Sequence, residues 1–308
     1  MFVFMKVKDK NLKAPPYLKK GDTISIVAPA RKIAKAELQF AIDTFKKWGL
    51  KVVLGKNLLK IHHQFSGTDE QRTADLQQAL DDKNISAVIS ARGGYGTLRI
   101  IDQLNFSKFK KNPKWMIGYS DITVLHSHIH NNFGIQTIHG TMPINFIKNE
   151  EAVESLRKAL FGEPLSYSFE KHKLNRKGNC KGELVGGNLS LLYALCGSSS
   201  DIDTKGKILF IEDLDEYLYH IDRMMLNLKR SGKLKSLAGL VVGGMTDMKD
   251  NTIPFGKTAE EIILDAVKEY KFPVYFGFPA GHIERNLALK LGSKVSIEQG
   301  KEVVLKFL

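Results

Sequence analysis

The sequence predicts an α/β fold, with a parallel sheet in its first half and a more mixed sheet in its second half. Apolar runs of strand length alternate with helical patterns over residues 23–140, which is typical of right-handed β–α–β units. The tail alternates apolar and polar residues around a turn at 298–301, which indicates antiparallel hairpins. In parallel units, function is expected where the carboxyl ends of the strands meet.

Each predicted element rests on its hydrophobic spacing and on the residues that bound it. Pro29 closes the first strand, and Thr68 with Gln71 has the spacing of a capping box at the start of the second helix. The predicted strands are 23–28, 51–54, 85–91, 114–118, 136–139, 207–211, 239–245 and 274–278. The predicted helices are 38–48, 68–80, 98–104, 121–134, 150–160, 189–195, 218–232 and 258–270.

Two domains are predicted from the length and from one polar segment. The chain has 308 residues, and residues 164–180 are polar with little apolar periodicity, as in an interdomain linker. We therefore expect an N-terminal domain over 1–163 and a C-terminal domain over 181–308.

The composition is that of a soluble globular protein, with 43% hydrophobic and 26% charged residues. No apolar run approaches the ~18 residues that cross a bilayer, and residues 1–5 are too short for a signal-peptide core. We expect a cytoplasmic protein with no membrane partner. Cys180 and Cys196 give no disulfide framework.

The net charge of +13 raises the question of a nucleic-acid partner. Lysines are spread along the whole chain, and their local clusters do not interleave aromatic residues as a base-stacking surface does. A lysine-rich solvated surface is the better interpretation, and no nucleic-acid partner is predicted. Such a surface would also favour an acidic small substrate.

A candidate nucleophile stands at Ser120, where an aromatic and aliphatic run ends and helical spacing begins at Asp121. A serine on a strand–turn–helix has its hydroxyl beyond the strand end, close to backbone N–H groups that can stabilise an oxyanion. The nucleophile-elbow pattern is incomplete, because Ile122 stands in place of the second glycine. The alternative is that Ser120 or Asp121 caps the helix.

The strand before the Ser120 strand runs into a glycine-rich loop over 92–98. Its glycines would let backbone amides approach a ligand closely. The loop lacks the spacing of either dinucleotide or P-loop motifs, so no nucleotide cofactor is predicted. A donor to the same oxyanion and a simple tight turn both remain open.

A serine nucleophile needs a base, and the base needs an acid. His282 follows an apolar strand and is the best candidate base, with His139 as its rival. Glu212 is the first charged residue after another apolar strand, but spacing leaves Asp213 and Asp215 open as the acid. The order of serine, acid and histidine is one known for hydrolase triads.

A zinc site is the alternative use of the histidines. His126 and His130 have i, i+4 spacing on a predicted helix, which suits a shared metal ion. No third ligand and no His-Glu-x-x-His pattern accompany them, so neither a metal nor a cofactor is predicted.

Several ordered motifs resemble the LD-carboxypeptidase family of serine peptidases, which includes murein tetrapeptide carboxypeptidases and microcin-C self-immunity peptidases. The resemblance covers nearly the whole chain. Its motifs are Ile26-Val27-Ala28-Pro29, Ala91-Arg92-Gly93-Gly94-Tyr95-Gly96, Ile117-Gly118-Tyr119-Ser120-Asp121, Ile138-His139-Gly140, Gly186-Gly187-Asn188-Leu189, Leu209-Phe210-Ile211-Glu212-Asp213 and Gly281-His282.

The resemblance implies Ser120 as nucleophile, His282 as general base and Glu212 as the acid that orients it. It also implies that the backbone amides of Gly94 and Asp121 form the oxyanion hole. Similar enzymes have an N-terminal Rossmann-like layer and a C-terminal domain with barrel-like antiparallel strands, often as homodimers.

The activity implied is release of the terminal D-alanine from murein tetrapeptides during peptidoglycan recycling. Arg92 is a candidate contact for this acidic peptide substrate. Two alternatives remain open: a microcin-C-type peptidase with an aromatic clamp for a base, and a non-catalytic protein that binds acidic peptides or nucleic acid.

Overall fold

The computed structural model describes residues 12–308, so the apolar run 1–5 lies outside the described residues. The described chain forms two mixed sheets with helices packed against them. The strands are β1 (Thr23–Val27), β2 (Lys51–Leu54), β3 (Ile85–Ser90), β4 (Trp115–Gly118), β5 (Thr137–His139), β6 (Ser166–Phe169), β7 (Cys180–Asn188), β8 (Ile208–Leu214), β9 (Gly239–Thr246), β10 (Val274–Phe276), β11 (Leu289–Leu291), β12 (Lys294–Gln299) and β13 (Val303–Phe307). The helices are α1 (Ala36–Lys47), α2 (Asp69–Asp81), α3 (Ser107–Lys111), α4 (Thr123–Phe133), α5 (Glu150–Phe161), α6 (Leu189–Leu195), α7 (Leu218–Arg230) and α8 (Ala259–Ala266).

The first sheet has the strand order β11-β5-β4-β3-β1-β2. Strands β1 to β5 run parallel, and β11 adds to the edge in the antiparallel direction. The predicted capping box opens α2, since Thr68 accepts a hydrogen bond from the Gln71 N–H and the Gln71 side chain accepts one from the Thr68 N–H. The alternation of strands and helices in the first half is therefore confirmed.

The second sheet has the order β10-β9-β8-β7-β12-β13-β6. Its first four strands are parallel, and β12, β13 and β6 are antiparallel. The predicted α/β fold, with a more mixed sheet in the second half, is confirmed.

Three elements differ from their predictions. The predicted helix 98–104 is two separate 3₁₀ turns, Thr97–Arg99 and Ile101–Gln103. The predicted linker 164–180 contains β6, the edge strand of the second sheet. Strand β11 pairs with β5 of the first sheet and not within a C-terminal hairpin, so the two sheets do not follow the predicted domain division at every strand.

One apolar cluster joins the two sheets and fixes where their strand ends lie. It includes Ile117 and Ile138 of the first sheet and Phe210 and Val241 of the second, all completely buried. Because the sheets share this core, the carboxyl end of β4 and the final residues of β8 are held in one region. No helix within residues 12–308 is long and apolar enough to cross a membrane.

Candidate active site

Ser120 occupies a strained turn between β4 and α4. Its φ is +62°, in the left-handed region that residues other than glycine rarely adopt. Ile122 packs directly over Gly118, where an added Cβ would lie 2.8 Å from the Ile122 Cγ1. The chain thus makes a tight turn here with Ile122 in place of the second glycine of the elbow pattern. The Ser120 side chain does not cap the helix. Backbone strain of this kind is concentrated at functional sites.

The glycine-rich loop lies against this turn. A Cβ on Gly93 would stand 2.9 Å from the Ser120 Cβ and 3.1 Å from its Oγ, so only glycine fits at this approach. Gly94 has a φ of +117°, and its Cα faces the side chain of Arg31. The N–H groups of Gly94 and Asp121 donate no hydrogen bond within residues 12–308. Both are therefore free to bind an oxygen of a ligand.

The buried carboxylate of Asp121 connects the loop to the turn that carries Ser120. Its Oδ2 accepts a hydrogen bond of 2.8 Å from the Thr97 N–H. Burial raises the pKa of Asp121, and the bond from Thr97 opposes that shift. On the other side of the loop, the buried Arg72 donates to the carbonyls of Gly96, at 2.9 Å, and Pro29. These bonds fix the loop in place.

His282 and Glu212 form a close pair at the ends of the second sheet. The His282 Nδ1 lies 2.7 Å from the Glu212 Oε2, and the His282 backbone N–H donates to the same oxygen at 3.1 Å. The close approach of the chain before His282 to Glu212 depends on Gly281, because a Cβ at that position would lie 2.7 Å from the Glu212 side chain. Glu212 is completely buried, whereas 14% of the His282 side chain is exposed.

The pKa values of the two partners shift in opposite directions. Burial alone would lower the pKa of His282, but the Glu212 carboxylate raises it above its ordinary value. Burial likewise would raise the pKa of Glu212, and the charge and hydrogen bonds of His282 lower it. The carboxylate therefore favours the imidazolium form of its partner.

The other candidates for acid and base lie elsewhere. Asp213 accepts from the Asn188 Nδ2 and the Ser190 N–H, both at 2.9 Å, and Asp215 pairs at the surface with Lys249. His139 is completely buried between the two sheets, which lowers its pKa to about 4. Among these candidates, only Glu212 contacts His282.

Tyr119 connects the serine turn to the histidine. Its ring lies edge-on to the His282 ring with 5.0 Å between centroids, and its hydroxyl accepts a 2.6 Å bond from Asn145. Tyr119 and His282 line a pocket of about 480 Å³, a size that suits a small ligand. Ser120 lies beside this lining, and its Oγ makes no hydrogen bond to His282 in this structure.

Two models of a single family match the chain. The N-terminal domain of the LD-carboxypeptidase family matches residues 24–140, and its C-terminal domain matches residues 181–297. The chain belongs to the LD-carboxypeptidase family. This membership confirms the resemblance described above. The chain is therefore a serine peptidase, which is a hydrolase. Membership also argues against the alternative of a non-catalytic protein that only binds acidic ligands.

Individual relatives agree with this membership. A probable murein peptide carboxypeptidase of Bacillus subtilis is 39% identical over 302 residues, which is 94% of this chain and 93% of that protein. The muramoyltetrapeptide carboxypeptidase of Oxalobacter formigenes superposes with a TM-score of 0.84 at 28% identity, covering 92% and 98% of the two chains. MccF in complex with glutamyl sulfamoyl guanosine superposes at 0.86, covering 97% and 99%, but its 23% identity shows the fold alone.

His126 and His130 on α4, the pair considered for zinc, form hydrogen bonds within the protein. The His126 Nε2 bonds the Gly118 carbonyl at 2.9 Å, and the His130 Nε2 lies 3.0 Å from the Thr137 Oγ1. Within the described residues 12–308, no group of three His, Cys, Asp or Glu side chains is placed to hold a metal ion.

Arg92 follows β3, which is the neighbour of β4, the strand that Ser120 follows. Its Nη1 donates to the Lys32 carbonyl at 3.3 Å, and its buried Nε has no hydrogen-bond partner among the residues that the structure describes. Arg92 is not among the residues that line the pocket, and sequence reasoning missed polar lining residues such as Asn145. Asn145 lies in a short turn after β5 with no motif around it, so only the tertiary structure brings it to Tyr119.

Proposed function

We propose that this chain is a serine carboxypeptidase that hydrolyses the L,D amide bond between a diamino acid and a terminal D-alanine in murein tetrapeptides. The observation that carries the proposal is the buried pair of His282 and Glu212 against Tyr119, one residue from the strained Ser120. The relatives named for murein peptides support the choice of substrate.

The reaction has two steps, as in other serine hydrolases. Ser120 attacks the carbonyl carbon of the diamino acid while His282 accepts its proton, and Glu212 holds the imidazole and stabilises its charged form. His282 then protonates the leaving amine of D-alanine. Water, activated by the same histidine, hydrolyses the acyl-enzyme and frees Ser120.

The N–H groups of Gly94 and Asp121 are proposed to bind the oxyanion of each tetrahedral intermediate. Their lack of acceptors within the described chain supports this role, as does the close contact of Gly93 with Ser120. Donors already held in position are effective because they need not reorganise as the charge develops.

Arg92 is proposed to contact a carboxylate of the substrate. Its buried Nε has no hydrogen-bond partner within residues 12–308, and a guanidinium suits bidentate recognition of a carboxylate. We also propose a cytoplasmic homodimer that acts in peptidoglycan recycling and needs no cofactor; these statements follow the family resemblance.

The experiment that tests the substrate class offers the enzyme a murein tetrapeptide and, in parallel, an aminoacyl sulfamoyl adenosine. We expect release of D-alanine from the tetrapeptide with the higher kcat/KM. Among the described residues 12–308, the aromatic rings that line the pocket are those of Tyr119 and His282, which favours the peptide over a substrate whose base needs an aromatic clamp. Preferential cleavage of the nucleotide analogue would instead assign the microcin-C-type activity.

A further inference from the structure

The motif Gly186-Gly187-Asn188 takes no part in the chemistry proposed above, yet it lies between the nucleophile and the acid. Asn188 is the last residue of β7 and is almost completely buried. Its Oδ1 accepts a 3.2 Å bond from the Leu191 N–H and so caps α6. The cap uses only the oxygen of the side chain, which leaves the Nδ2 and the backbone N–H of Asn188 for other partners.

The backbone N–H of Asn188 binds the helix that follows the nucleophile. It donates a 3.0 Å bond to the Oγ1 of Thr123, the completely buried first residue of α4. This approach requires Gly187, because a Cβ there would lie 2.5 Å from the Thr123 Oγ1. Thr123 is three residues after Ser120, so the end of β7 fixes the start of α4 close to the turn that carries Ser120.

The side chain of Asn188 binds the strand that carries the acid. Its Nδ2 donates a 2.9 Å bond to the Oδ1 of Asp213, the buried residue that directly follows Glu212. Asn188 is also the register partner of Glu212 in the pairing of β7 with β8. One residue thus holds both the helix after Ser120 and the end of the strand that carries Glu212.

Glu212 lies where β8 is irregular. The register of β8 against β9 shifts between Ile211 and Asp213. A shift of this kind bends a strand and changes the direction of its side chains. Asp213 is held at both oxygens, since its Oδ2 accepts a 2.9 Å bond from the Ser190 N–H. These bonds fix the residue after the irregularity and so limit the direction in which Glu212 can point.

We propose that Asn188 is a positioning residue that aligns the two halves of the catalytic machinery. Its N–H holds the start of α4 and thereby Ser120, and its side chain holds Asp213 and thereby the direction of Glu212 towards His282. The proposal rests on the proposed function, which makes Ser120 the nucleophile and Glu212 the orienting acid.

The first test is Asn188→Ser, which leaves the charge unchanged. Serine caps a helix about as well as asparagine, but its hydroxyl is too short to reach Asp213. We expect kcat for D-alanine release to fall about tenfold while KM hardly changes, because the reacting groups are displaced and substrate contacts are retained. If capping α6 were the whole role of Asn188, the variant would keep the wild-type kcat.

The pH profile of the same variant reports the direction of Glu212. Burial lowers the pKa of His282, and the Glu212 carboxylate outweighs that effect. A carboxylate held less firmly against His282 should let this pKa fall, so the acidic limb of kcat/KM should move to lower pH. Loss of a helix cap alone would lower the melting temperature without moving the limb.

The matched control is Asn149→Ser. Asn149 caps α5 in the same way, with its Oδ1 accepting a 2.8 Å bond from the Ala152 N–H. The control should keep the wild-type kcat and acidic limb. A folded Asn188→Ser that also keeps both would overturn the inference while the proposed function stands.

Thr123→Val tests the other bond of Asn188 and serves if Asn188→Ser does not fold. Valine has nearly the shape of threonine but removes the oxygen that the Asn188 N–H binds. We expect kcat to fall about tenfold with the acidic limb unmoved, because the pair of His282 and Glu212 is left intact. A wild-type kcat in folded Thr123→Val would overturn the claim that this bond positions Ser120.

A fluorophosphonate probe separates this inference from the choice of substrate, because labelling needs no murein peptide. The Ser120 Oγ bonds to phosphorus, fluoride leaves, and His282 accepts the hydroxyl proton. Labelling should be about tenfold slower in Asn188→Ser than in the wild type and in Asn149→Ser. If the wild type releases no D-alanine and this difference is still seen, the substrate assignment fails and the positioning role holds. Equal labelling rates in all three would overturn the positioning role.

Discussion

At the scale of single residues, the proposed base His282 and its partner Glu212 would set the pH range in which the site can accept a proton. Glu212 is completely buried, and its carboxylate raises the pKa of His282 against the opposing effect of burial. A general base works only in its neutral form, so the acidic limb of the activity profile should report this raised pKa. The pH dependence of the activity should therefore depend on this pair.

We expect kcat/KM to rise with pH through an apparent pKa above 6.5, the ordinary value for histidine. In Glu212→Gln the carboxylate is lost while the burial remains, so this apparent pKa should fall below the wild-type value. The same change should lower kcat by about 100- to 10,000-fold, because the imidazole loses its orienting charge. The measurement is the pH profile of D-alanine release.

The control for this prediction is Asp215→Asn, three residues along the chain. Asp215 is exposed and pairs with Lys249, so its loss should leave both kcat and the acidic limb unchanged. An unshifted acidic limb in Glu212→Gln would contradict the assignment of His282 as the base.

The sequence indicated candidate acids at the end of one strand but could not choose among neighbouring residues. Glu212 and Asp213 are adjacent on β8, where the register against β9 shifts, yet Glu212 contacts His282 whereas Asp213 accepts hydrogen bonds from Asn188 and Ser190. Which of the two meets His282 depends on the packing of two sheets, which one-dimensional spacing does not contain. The positive φ of Ser120 also leaves no mark in the sequence, because serine is not a residue that favours it.

At the scale of elements, the glycine loop and the nucleophile turn act as one unit. Gly93→Ala should push Ser120 away from its position, since the new Cβ would start 2.9 Å from the Ser120 Cβ. We expect kcat to fall about tenfold to 100-fold, because small displacements of a reacting group are costly. The steady-state rate and the melting temperature should be measured together.

Gly300→Ala is the matched control for the glycine loop, because a Cβ at that position meets no atom within 4 Å. It should leave kcat unchanged. Full activity in Gly93→Ala would show that the loop does not constrain the nucleophile.

Two elements of secondary structure were predicted wrongly from the sequence, each for a physical reason. The predicted helix 98–104 became two 3₁₀ turns because its start is fixed by tertiary bonds, from the Thr97 N–H to Asp121 and from Arg72 to the Gly96 carbonyl. Strand β6 was missed inside the polar segment 164–180, although Tyr167 and Phe169 alternate with serines in the pattern of a half-buried strand.

At the scale of the whole molecule, the two halves of the chain contribute strands to the same sheet and side chains to the same core. Strand β11 completes the first sheet beside β5, and Ala288 just before it is held by a 2.9 Å bond to the Ser155 Oγ and a 2.7 Å bond from the Tyr167 hydroxyl. A pairing between residues so distant in sequence cannot be predicted from local patterns.

A fragment of residues 1–163 should therefore fail to fold by itself. It would leave the edge of β5 unpaired and expose the shared core that Phe210 covers in the intact chain. Circular dichroism during heating should show no cooperative transition for the fragment. A sharp transition near that of the full chain would contradict the shared-core account.

The charge of the whole chain makes a separate prediction. A net charge of +13 should speed the encounter with an acidic murein peptide, so kcat/KM should fall severalfold when salt rises from about 50 mM to about 500 mM. The value of kcat should hardly change, because it describes the bound complex. Equal loss of kcat and kcat/KM would point to unfolding or to a direct effect on the site.

The central claim is that Ser120 is the nucleophile of an L,D-carboxypeptidase. The most direct test measures D-alanine release from a murein tetrapeptide by the wild-type chain and by Ser120→Ala, each shown to be folded by its melting curve. We expect release by the wild type and a rate about a millionfold lower in the variant. Release that persists in Ser120→Ala at the wild-type rate would contradict it.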